Sequence, residues 1–135
     1  MSVTLGEVRA ALNEFYGGKA AGPDGLHPRM LKRLPESMIV VVWGMFRRSL
    51  EECWVPQSWR EVEIIPLLKA GKPACDLGSF QPVCLTSCLS KWFKRVIAKR
   101  VRWVLEKCGV ISEFQVGFRQ GRCVEDQLLR LSQCV

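Results

Sequence analysis

Apolar residues recur every three or four positions in three long segments, which is the spacing of one face of an α-helix. The first segment covers residues 5–16 and opens with a capping box, in which Thr4 is the N-cap and Glu7 reaches back to it. The second covers residues 36–53 and predicts an amphipathic helix. The third predicts the longest helix, with a buried stripe formed by Leu89, Trp92, Phe93, Val96, Ile97, Val101, Val104 and Leu105.

Between the second and third helices the pattern changes to short apolar, β-branched runs. Residues 62–69 have the composition of a buried strand, and Pro66 within them favours an edge position or an irregularity. Residues 80–85 predict the returning strand, and the Gly- and Lys-containing residues 70–79 predict the turn that joins the two. The two runs together predict a β-hairpin.

Shorter elements complete the chain. Residues 19–28 form a loop by their Gly, Pro and Asp content, and Pro28 opens a short helix that extends to about Leu34. Gly109 ends the longest helix at its C-cap, and residues 124–134 predict a last helix. Its expected buried residues are Val124, Leu128 and Leu131. The prediction is a helix-rich α+β fold of five helices around a two-stranded hairpin.

The net charge of +7 arises entirely in the second half of the chain. Residues 1–67 carry eight Lys/Arg and eight Asp/Glu, whereas residues 68–135 carry twelve Lys/Arg and five Asp/Glu. A one-sided basic surface suits a polyanion, most simply nucleic acid, and a solvated Lys/Arg surface is the alternative. No membrane span is predicted, because no apolar run approaches the ~20 residues that cross a bilayer. Binding to a membrane surface is disfavoured, because both Trp residues of the longest helix lie in or beside its apolar stripe. Five cations share the polar face of the longest helix: Lys91, Lys94, Arg95, Lys99 and Arg102.

The seven cysteines form no paired framework, since their number is odd and no signal peptide precedes them. A reducing, intracellular setting is the simpler interpretation. Cys84 and Cys88 are four residues apart, but no second Cys/His pair stands at zinc spacing and His27 is the only histidine. No metal site and no targeting signal are therefore predicted.

Four motifs follow one another in an order that resembles the reverse transcriptases of non-LTR (LINE-type) retrotransposons, over about residues 5–135. They comprise a Gly-Pro-Asp-Gly loop, a strand pair, a basic helix and a glycine-punctuated segment. In order, they are Lys19 with Gly22-Pro23-Asp24-Gly25; Pro66-Leu67-Leu68-Lys69 with Phe80-Gln81-Pro82-Val83-Cys84-Leu85; Lys91, Arg95 and Arg100; and Gln115-Val116-Gly117-Phe118-Arg119-Gln120-Gly121-Arg122 with Asp126 and Gln127.

The resemblance implies the fingers subdomain of a right-hand polymerase with an incomplete palm, so residues 1–135 would be a truncated reverse transcriptase domain made of the fingers and the start of the palm. It also implies an RNA template or RNA/DNA hybrid as partner, and a nuclear location. The residues expected at nucleotide phosphates are Lys69, Lys72 and Gln81. Those expected to contact nucleic acid are Lys19, Lys91, Arg95, Lys99, Arg102, Gln115, Gly117, Phe118, Arg119 and Arg122.

Two positions depart from the family pattern. Gln81 stands where the family has an Arg that helps hold the triphosphate of the incoming nucleotide, and Lys94 stands where the family has a Glu. An Arg offers phosphate a charged, bidentate fork, whereas Gln offers a neutral amide. We therefore expect weakened nucleotide binding.

The chain also lacks the expected catalytic carboxylates. The complete family enzyme transfers nucleotides with Mg²⁺ ions held by aspartates. The aspartates here are Asp24, Asp76 and Asp126, which lie in three different elements and form no Asp-Asp pair. No catalytic residue, metal ligand or cofactor is therefore predicted in this chain. We expect a fragment that is inactive alone and retains template or primer binding.

Two other functions fit the residues: a non-catalytic basic module that binds RNA or protein, and a decayed remnant that only folds in part. Further partners would be the missing palm portion or other proteins of the element. Because no palm sheet would back the fingers, we expect exposed apolar surface and marginal stability.

Overall fold

The computed structural model describes residues 2–15, 17 and 18, 20–117, 119 and 121–133, without the side chains of residues 126, 127, 130 and 133. These residues form five α-helices and one two-stranded antiparallel sheet, which confirms the predicted α+β fold and hairpin. The elements are α1 (Leu5–Asn13), α2 (Pro28–Leu31), α3 (Glu36–Glu51), β1 (Val62–Leu68), β2 (Phe80–Thr86), α4 (Cys88–Lys107) and α5 (Val124–Gln133). The chain comprises two compact units, unit 1 (Met1–Ile97) and unit 2 (Ala98–Val135).

The core of unit 1 is built on a cluster of four aromatic rings. The centroid of the Phe46 ring lies 5.9 Å from Trp59, 5.4 Å from Trp92 and 5.1 Å from Phe93. Its planes with the two Trp rings are 78° and 84° apart, which is the favourable edge-to-face arrangement. Phe46 is fully buried and contacts the other three rings, so it lies at the centre of this cluster.

Indole groups tie the first helix region to this core. Trp92 Nε1 in α4 donates to the Val8 carbonyl oxygen in α1 at 2.9 Å, and Trp43 Nε1 in α3 donates to the Val3 carbonyl oxygen at 2.7 Å. The capping box predicted at Thr4 is present in α1. This helix ends at Asn13 rather than residue 16, and Phe15 beyond it is buried in the core. Tertiary packing of Phe15 therefore replaces the last predicted turn.

Two further helices end earlier than predicted. Helix α2 stops at Leu31 rather than near Leu34. Leu34 precedes Pro35, and the residue before a proline is disfavoured in the α conformation. Helix α3 stops at Glu51 rather than Cys53, whose φ of 51° lies in the left-handed region.

The hairpin has the predicted pairing but not the predicted burial. Val62 pairs with Thr86 at its root and Leu68 with Phe80 at its tip, and Pro66 lies opposite Pro82. Both prolines are tolerated because each strand of a two-stranded sheet is an edge. Every residue of β1 is exposed, so the prediction of a buried strand is wrong. The composition of a strand indicates that the strand could be buried, but it does not identify a surface that would cover it.

Unit 2 likewise exposes its apolar residues. The stripe predicted as buried along α4 is exposed at Val101 and Val104, and Trp103 between them is 57% exposed. In α5 the three residues predicted to be buried, Val124, Leu128 and Leu131, are also exposed. The amphipathic spacing of these residues predicted the helices, but it did not determine whether another surface covers their apolar faces. The predicted exposure of apolar surface is confirmed.

Candidate nucleic-acid interface

The Gly-Pro-Asp-Gly loop is docked on the junction between β2 and α4. A Cβ atom at Gly22 would lie 2.5 Å from the carbonyl carbon and oxygen of Thr86 and 2.7 Å from the backbone nitrogen of Ser87. Asp24 Oδ1 accepts a hydrogen bond from the Leu26 backbone N–H at 3.1 Å, and Gly25 has a φ of 67°. These contacts give the motif a packing role. Lys19, predicted to contact nucleic acid, lies outside the described residues.

Cys88 forms the other half of this junction. The side chain is fully buried at the start of α4, and its Sγ lies 3.9 Å from the Ala20 carbonyl oxygen. Burial raises the pKa of the Cys88 thiol, an effect that the positive charge of Lys91 opposes. The thiol therefore stays neutral and acts as a small core residue rather than a nucleophile.

The two lysines predicted to bind phosphate at the hairpin tip differ in their surroundings: Lys69 is hydrogen-bonded within the turn, and Lys72 is exposed. Lys69 Nζ donates to the Gly78 carbonyl oxygen at 3.0 Å, so this lysine closes the turn on itself. The Lys72 amide donates to the Lys69 carbonyl oxygen at 3.1 Å, and its exposed ammonium contacts no carboxylate in the described part of the chain. The tip thus presents Lys72 as its available cation.

Gln81 lies in β2 with its Cα opposite that of Leu67. Successive strand residues point to opposite faces of a sheet. Gln81, Val83 and Leu85 therefore lie on one face of the hairpin, and Thr86 lies on the other. The exposed Gln81 side chain can offer phosphate only an uncharged donor.

The predicted nucleic-acid ligands at the start of α4 are not equally available. Arg95 Nη1 donates to the Glu14 carbonyl oxygen at 2.5 Å, where α1 ends, and its guanidinium carbon lies 5.1 Å from the centre of the Phe15 ring. This cation caps a helix and covers an aromatic ring. Lys91 is half-buried near Cys88.

Arg119 of the glycine-punctuated motif is the most constrained cation of unit 2. Its Nε and Nη2 donate to the two carboxylate oxygens of Glu106 at 3.0 and 2.6 Å. Its Nη1 donates to the carbonyl oxygens of Ser112 at 2.9 Å and Gln115 at 3.4 Å. The side chain is only 12% exposed. Arg119 therefore holds the segment 112–119 against the end of α4, and its contact with nucleic acid stays a prediction.

Glu106 is a residue that the sequence pattern did not single out. It lies in the last turn of α4, which ends in a left-handed Gly109 with hydrogen bonds from Gly109 N to Glu106 O and from Val110 N to Leu105 O. A carboxylate at a helix C-terminus is disfavoured by the helix dipole. An acidic residue in the last turn of a helix was therefore the one sign in the sequence that a cation pairs with Glu106.

The remaining predicted residues of unit 2 differ in their surroundings. Gln115 and Gly117 are exposed within the segment that Arg119 holds. Arg102 is exposed and Arg122 half-buried, and their positive charges also act on Glu106. Lys99 is exposed on α4. Phe118 lies outside the described residues, as does the side chain of Asp126.

Replacing Arg119 with glutamine is expected to loosen the segment 112–119 and leave α4 formed. Hydrogen bonding to Arg119, followed by its charge, lowers the pKa of Glu106. A carboxyl group whose pKa is lowered on folding contributes stability above its unfolded pKa, and the contribution is lost as the pH falls through the folded pKa. Hydrogen exchange should show a several-fold loss of protection at the Gln115 amide in R119Q. In the unaltered chain, the same amide should lose protection as the pH falls and Glu106 becomes neutral.

The matched control is Arg122→Gln, which removes the same charge but acts on Glu106 only through the field. R122Q should retain the protection of the Gln115 amide. Equal loss in both variants would mean that net charge, and not the paired geometry of Arg119, orders this segment.

The carboxylates of the described residues do not form a site for the Mg²⁺ ions of the family enzyme. Asp24 and Asp76 each accept a backbone N–H in a local turn, from Leu26 and Gly78 respectively. Within the described ranges no three His, Cys, Asp or Glu side chains are grouped so as to hold a metal ion. Mg²⁺ catalysis of this type needs several oxygens in one place, so no step through a metal is assigned to this chain.

No described helix combines the length and the apolar composition that a membrane span requires.

Comparison with known proteins gives consistent relatives, although no protein-family model matches. The chain is 33% identical over 125 residues to a probable RNA-directed DNA polymerase from the transposon X-element of Drosophila melanogaster, an alignment that covers 93% of this chain and 14% of that protein. It is 32% identical over 129 residues to the RNA-directed DNA polymerase from the mobile element jockey of Drosophila funebris, covering 96% and 14%. It is 29% identical over 123 residues to the retrovirus-related Pol polyprotein from the type-1 retrotransposable element R1 of Bradysia coprophila, covering 90% and 12%.

These relatives match nearly the whole chain, and the chain spans about 14% of the length of the first two and 12% of the third. The resemblance inferred from the four motifs is therefore confirmed. The chain corresponds to a limited segment of the RNA-directed DNA polymerases of non-LTR retrotransposons.

Proposed function

We propose that residues 1–135 form the fingers, with the start of the palm, of a right-hand RNA-directed DNA polymerase, and that this segment binds the backbone of an RNA template or RNA/DNA hybrid. Nucleotide transfer would then depend on carboxylates and Mg²⁺ outside the described residues. A nuclear location belongs to the same proposal. The observation that carries it is the basic tip of an exposed hairpin, on a chain related to these polymerases along nearly its whole length.

The tip suits phosphate for a physical reason. The bond between Lys69 Nζ and the Gly78 carbonyl stabilises the turn, and Lys72 is left with an ammonium that can approach anions from several directions. Because both strands have open edges and exposed faces, the tip can meet a strand of nucleic acid without moving the core. Gln81 adds an uncharged donor on one hairpin face, so charge at this site comes from lysine.

Each unit also has cations that the structure leaves exposed or half-buried. In unit 1 they include Lys72 and Lys91, while Arg95 is held by the Glu14 carbonyl and the Phe15 ring. In unit 2 Arg102 is exposed. We assign backbone binding to these accessible residues and a positioning role to Arg95 and Arg119.

Binding of single-stranded RNA to the chain is expected to weaken steeply with salt, since each neutralised phosphate releases counterions. Replacing Lys72 with glutamine should lower the slope of log K against log salt by about 0.7, the value for one phosphate contact on a single strand. Fluorescence anisotropy of a labelled oligonucleotide at several salt concentrations measures both quantities.

The matched control for this titration is Lys32→Gln. Lys32 is also exposed in unit 1, and its Nζ donates to the Asn13 carbonyl oxygen at 3.3 Å. K32Q should keep the slope of the unaltered chain. An equal change in K32Q and K72Q would contradict the assignment of the hairpin tip, and an absence of binding at low salt would contradict the proposed function as a whole.

A second function is favoured by the exposed apolar residues. Ile64 and Leu68 lie on one face of β1 and are 62% and 48% exposed, and Leu128 and Leu129 in α5 are exposed as well. Contiguous apolar surface is typical of a protein contact. We propose that these surfaces pack against the remainder of the polymerase or another protein of the element. Light scattering of the isolated chain should then show association, and a monodisperse monomer would contradict this.

A further inference from the structure

We propose that a groove at the root of the hairpin binds a nucleoside phosphate monoester, supplied either by a free mononucleotide or by the 5′-phosphorylated end of a nucleic-acid strand. The hairpin-root groove lies in unit 1 where the start of β1 and the end of β2 meet α4. It is lined by Trp59, Arg60, Thr86, Ser90, Phe93 and Lys94, together with neighbouring aliphatic residues. It is separate in position from the hairpin tip and goes beyond the function proposed above.

The groove combines an apolar floor with a polar rim. Its volume is about 370 Å³, within the range of small-molecule sites. Trp59 and Phe93 in the floor are 7% and 6% exposed, and their rings pack 5.3 Å apart against the core. A rigid floor of this kind accepts a flat or apolar group without reorganisation of the protein. Inorganic phosphate alone would leave it uncovered.

Two cations line this groove, and none of the carboxylates in the described residues does. Arg60 and Lys94 line it, and in the described part of the chain neither side chain is paired with an acid. Val62 and its partner Thr86 line the groove. Glu63 follows Val62 in β1, and because successive strand residues point to opposite faces, its side chain points away from the groove. The lining thus carries two positive charges and no carboxylate of the described residues.

The charge and donor pattern favour a phosphate monoester. Such a group carries about −1.5 to −2 charges at pH 7 and three acceptor oxygens, whereas a carboxylate carries one charge. Arg60 can present a planar fork, Lys94 a point charge, and Thr86 and Ser90 hydroxyl groups from the same lining. The nucleoside would then cover the apolar floor.

Titration of the isotope-labelled chain with adenosine 5′-monophosphate tests the site. Backbone amide resonances of Ser90, Lys94 and Thr86, and the indole resonance of Trp59, should shift together and saturate. Adenosine alone and inorganic phosphate alone should each bind at least about tenfold more weakly than the mononucleotide, because adenosine contacts only the apolar floor and phosphate only the polar residues. Equal affinity for phosphate and the mononucleotide would overturn the proposal, as would tighter binding of a short acidic peptide.

Paired variants separate the groove from general electrostatics. Arg60→Gln with Lys94→Gln should weaken mononucleotide binding about tenfold or more, since it removes two charged hydrogen-bonding groups. Lys32→Gln with Arg33→Gln removes the same charge elsewhere in unit 1 and should have little effect. Equal losses in the two double variants would overturn the proposal.

Two further measurements distinguish a strand end from a free nucleotide, and the groove from the hairpin tip. A 5′-phosphorylated oligonucleotide that binds more tightly than its 5′-hydroxyl counterpart, with the difference abolished in the Arg60/Lys94 double variant, identifies a strand end. Absence of that difference with retained mononucleotide binding identifies the free nucleotide. The salt slope of RNA binding in Lys72→Gln tests the hairpin tip, whereas mononucleotide binding in the Arg60/Lys94 double variant tests the groove, so failure of the two proposals gives different results.

Discussion

Replacing Trp92 with alanine is expected to destabilise unit 1 by about 3–5 kcal/mol, the cost of truncating a large buried aromatic residue. Trp92 is fully buried, lies 5.4 Å from the Phe46 ring, and donates from Nε1 to the Val8 carbonyl oxygen in α1. It therefore joins α4, α3 and α1 through one side chain. Because a domain of this kind has about 5–15 kcal/mol of total stability, this loss removes a large share of it. Urea unfolding followed by circular dichroism measures it.

A gentler variant keeps the result interpretable if W92A does not fold. Trp92→Phe retains most of the ring and removes the indole donor, so about 0.5–1.5 kcal/mol should be lost with the hydrogen bond and a further part with the vacated volume. Trp103→Phe makes the same chemical change at a 57% exposed position and should have little effect. If W103F were as destabilising as W92F, the aromatic cluster would not be the centre of the core.

Replacing Gly22 with alanine is expected to destabilise unit 1 by about 1–3 kcal/mol, the usual cost of forcing extra volume into a packed region. The new Cβ would lie 2.5 Å from the Thr86 carbonyl group and 2.7 Å from the Ser87 nitrogen. Both obstacles are backbone, so the Gly-Pro-Asp-Gly loop or the β2–α4 junction must shift. In a domain of 60–100 residues each kcal/mol lowers Tm by roughly 4–8 °C, so a clear decrease in Tm is expected.

Gly44→Ala is the matched control, since it is the same substitution in the same unit with nothing within 4 Å of the added Cβ. Gly44 lies inside α3, where exchange of glycine for alanine should stabilise the helix by roughly 0.5–1 kcal/mol. The two substitutions are thus expected to have opposite signs. A stability loss in G22A that is no larger than in G44A would show that the loop is not docked where the geometry places it.

These experiments bear on how the family motifs work in this chain. Gly22, Arg95 and Arg119 belong to motifs for which the resemblance implied contact with nucleic acid. The structure gives each an internal partner: the β2–α4 backbone, the end of α1, and Glu106 respectively. Loss of binding in variants of these residues would therefore reflect misplaced neighbours as much as lost contacts. Lys72, Lys91 and Lys94 test direct contact more cleanly.

The amino-acid sequence determined the elements and the relationship. The capping box at Thr4, the glycine at 109 and the alternation of strand and turn residues act within a few positions of themselves, so they are visible without a fold. The same holds for the order of motifs, which predicted the family that the relatives confirm. The concentration of positive charge after residue 67 is likewise a property of the chain alone.

Only the tertiary structure decided which side chains are buried and which cations are available. Apolar periodicity predicted burial of β1 and of Leu128 in α5, but burial requires a covering surface and both are exposed. Arg119 and Lys72 look alike as basic motif residues, yet Arg119 meets Glu106 thirteen positions away and Lys72 stays exposed. Arg60 and Lys94 line one groove although they are 34 positions apart in the chain, which no local pattern encodes. Local hydrogen bonding forms the helices and the hairpin, whereas contacts between residues distant in sequence give each charge its role.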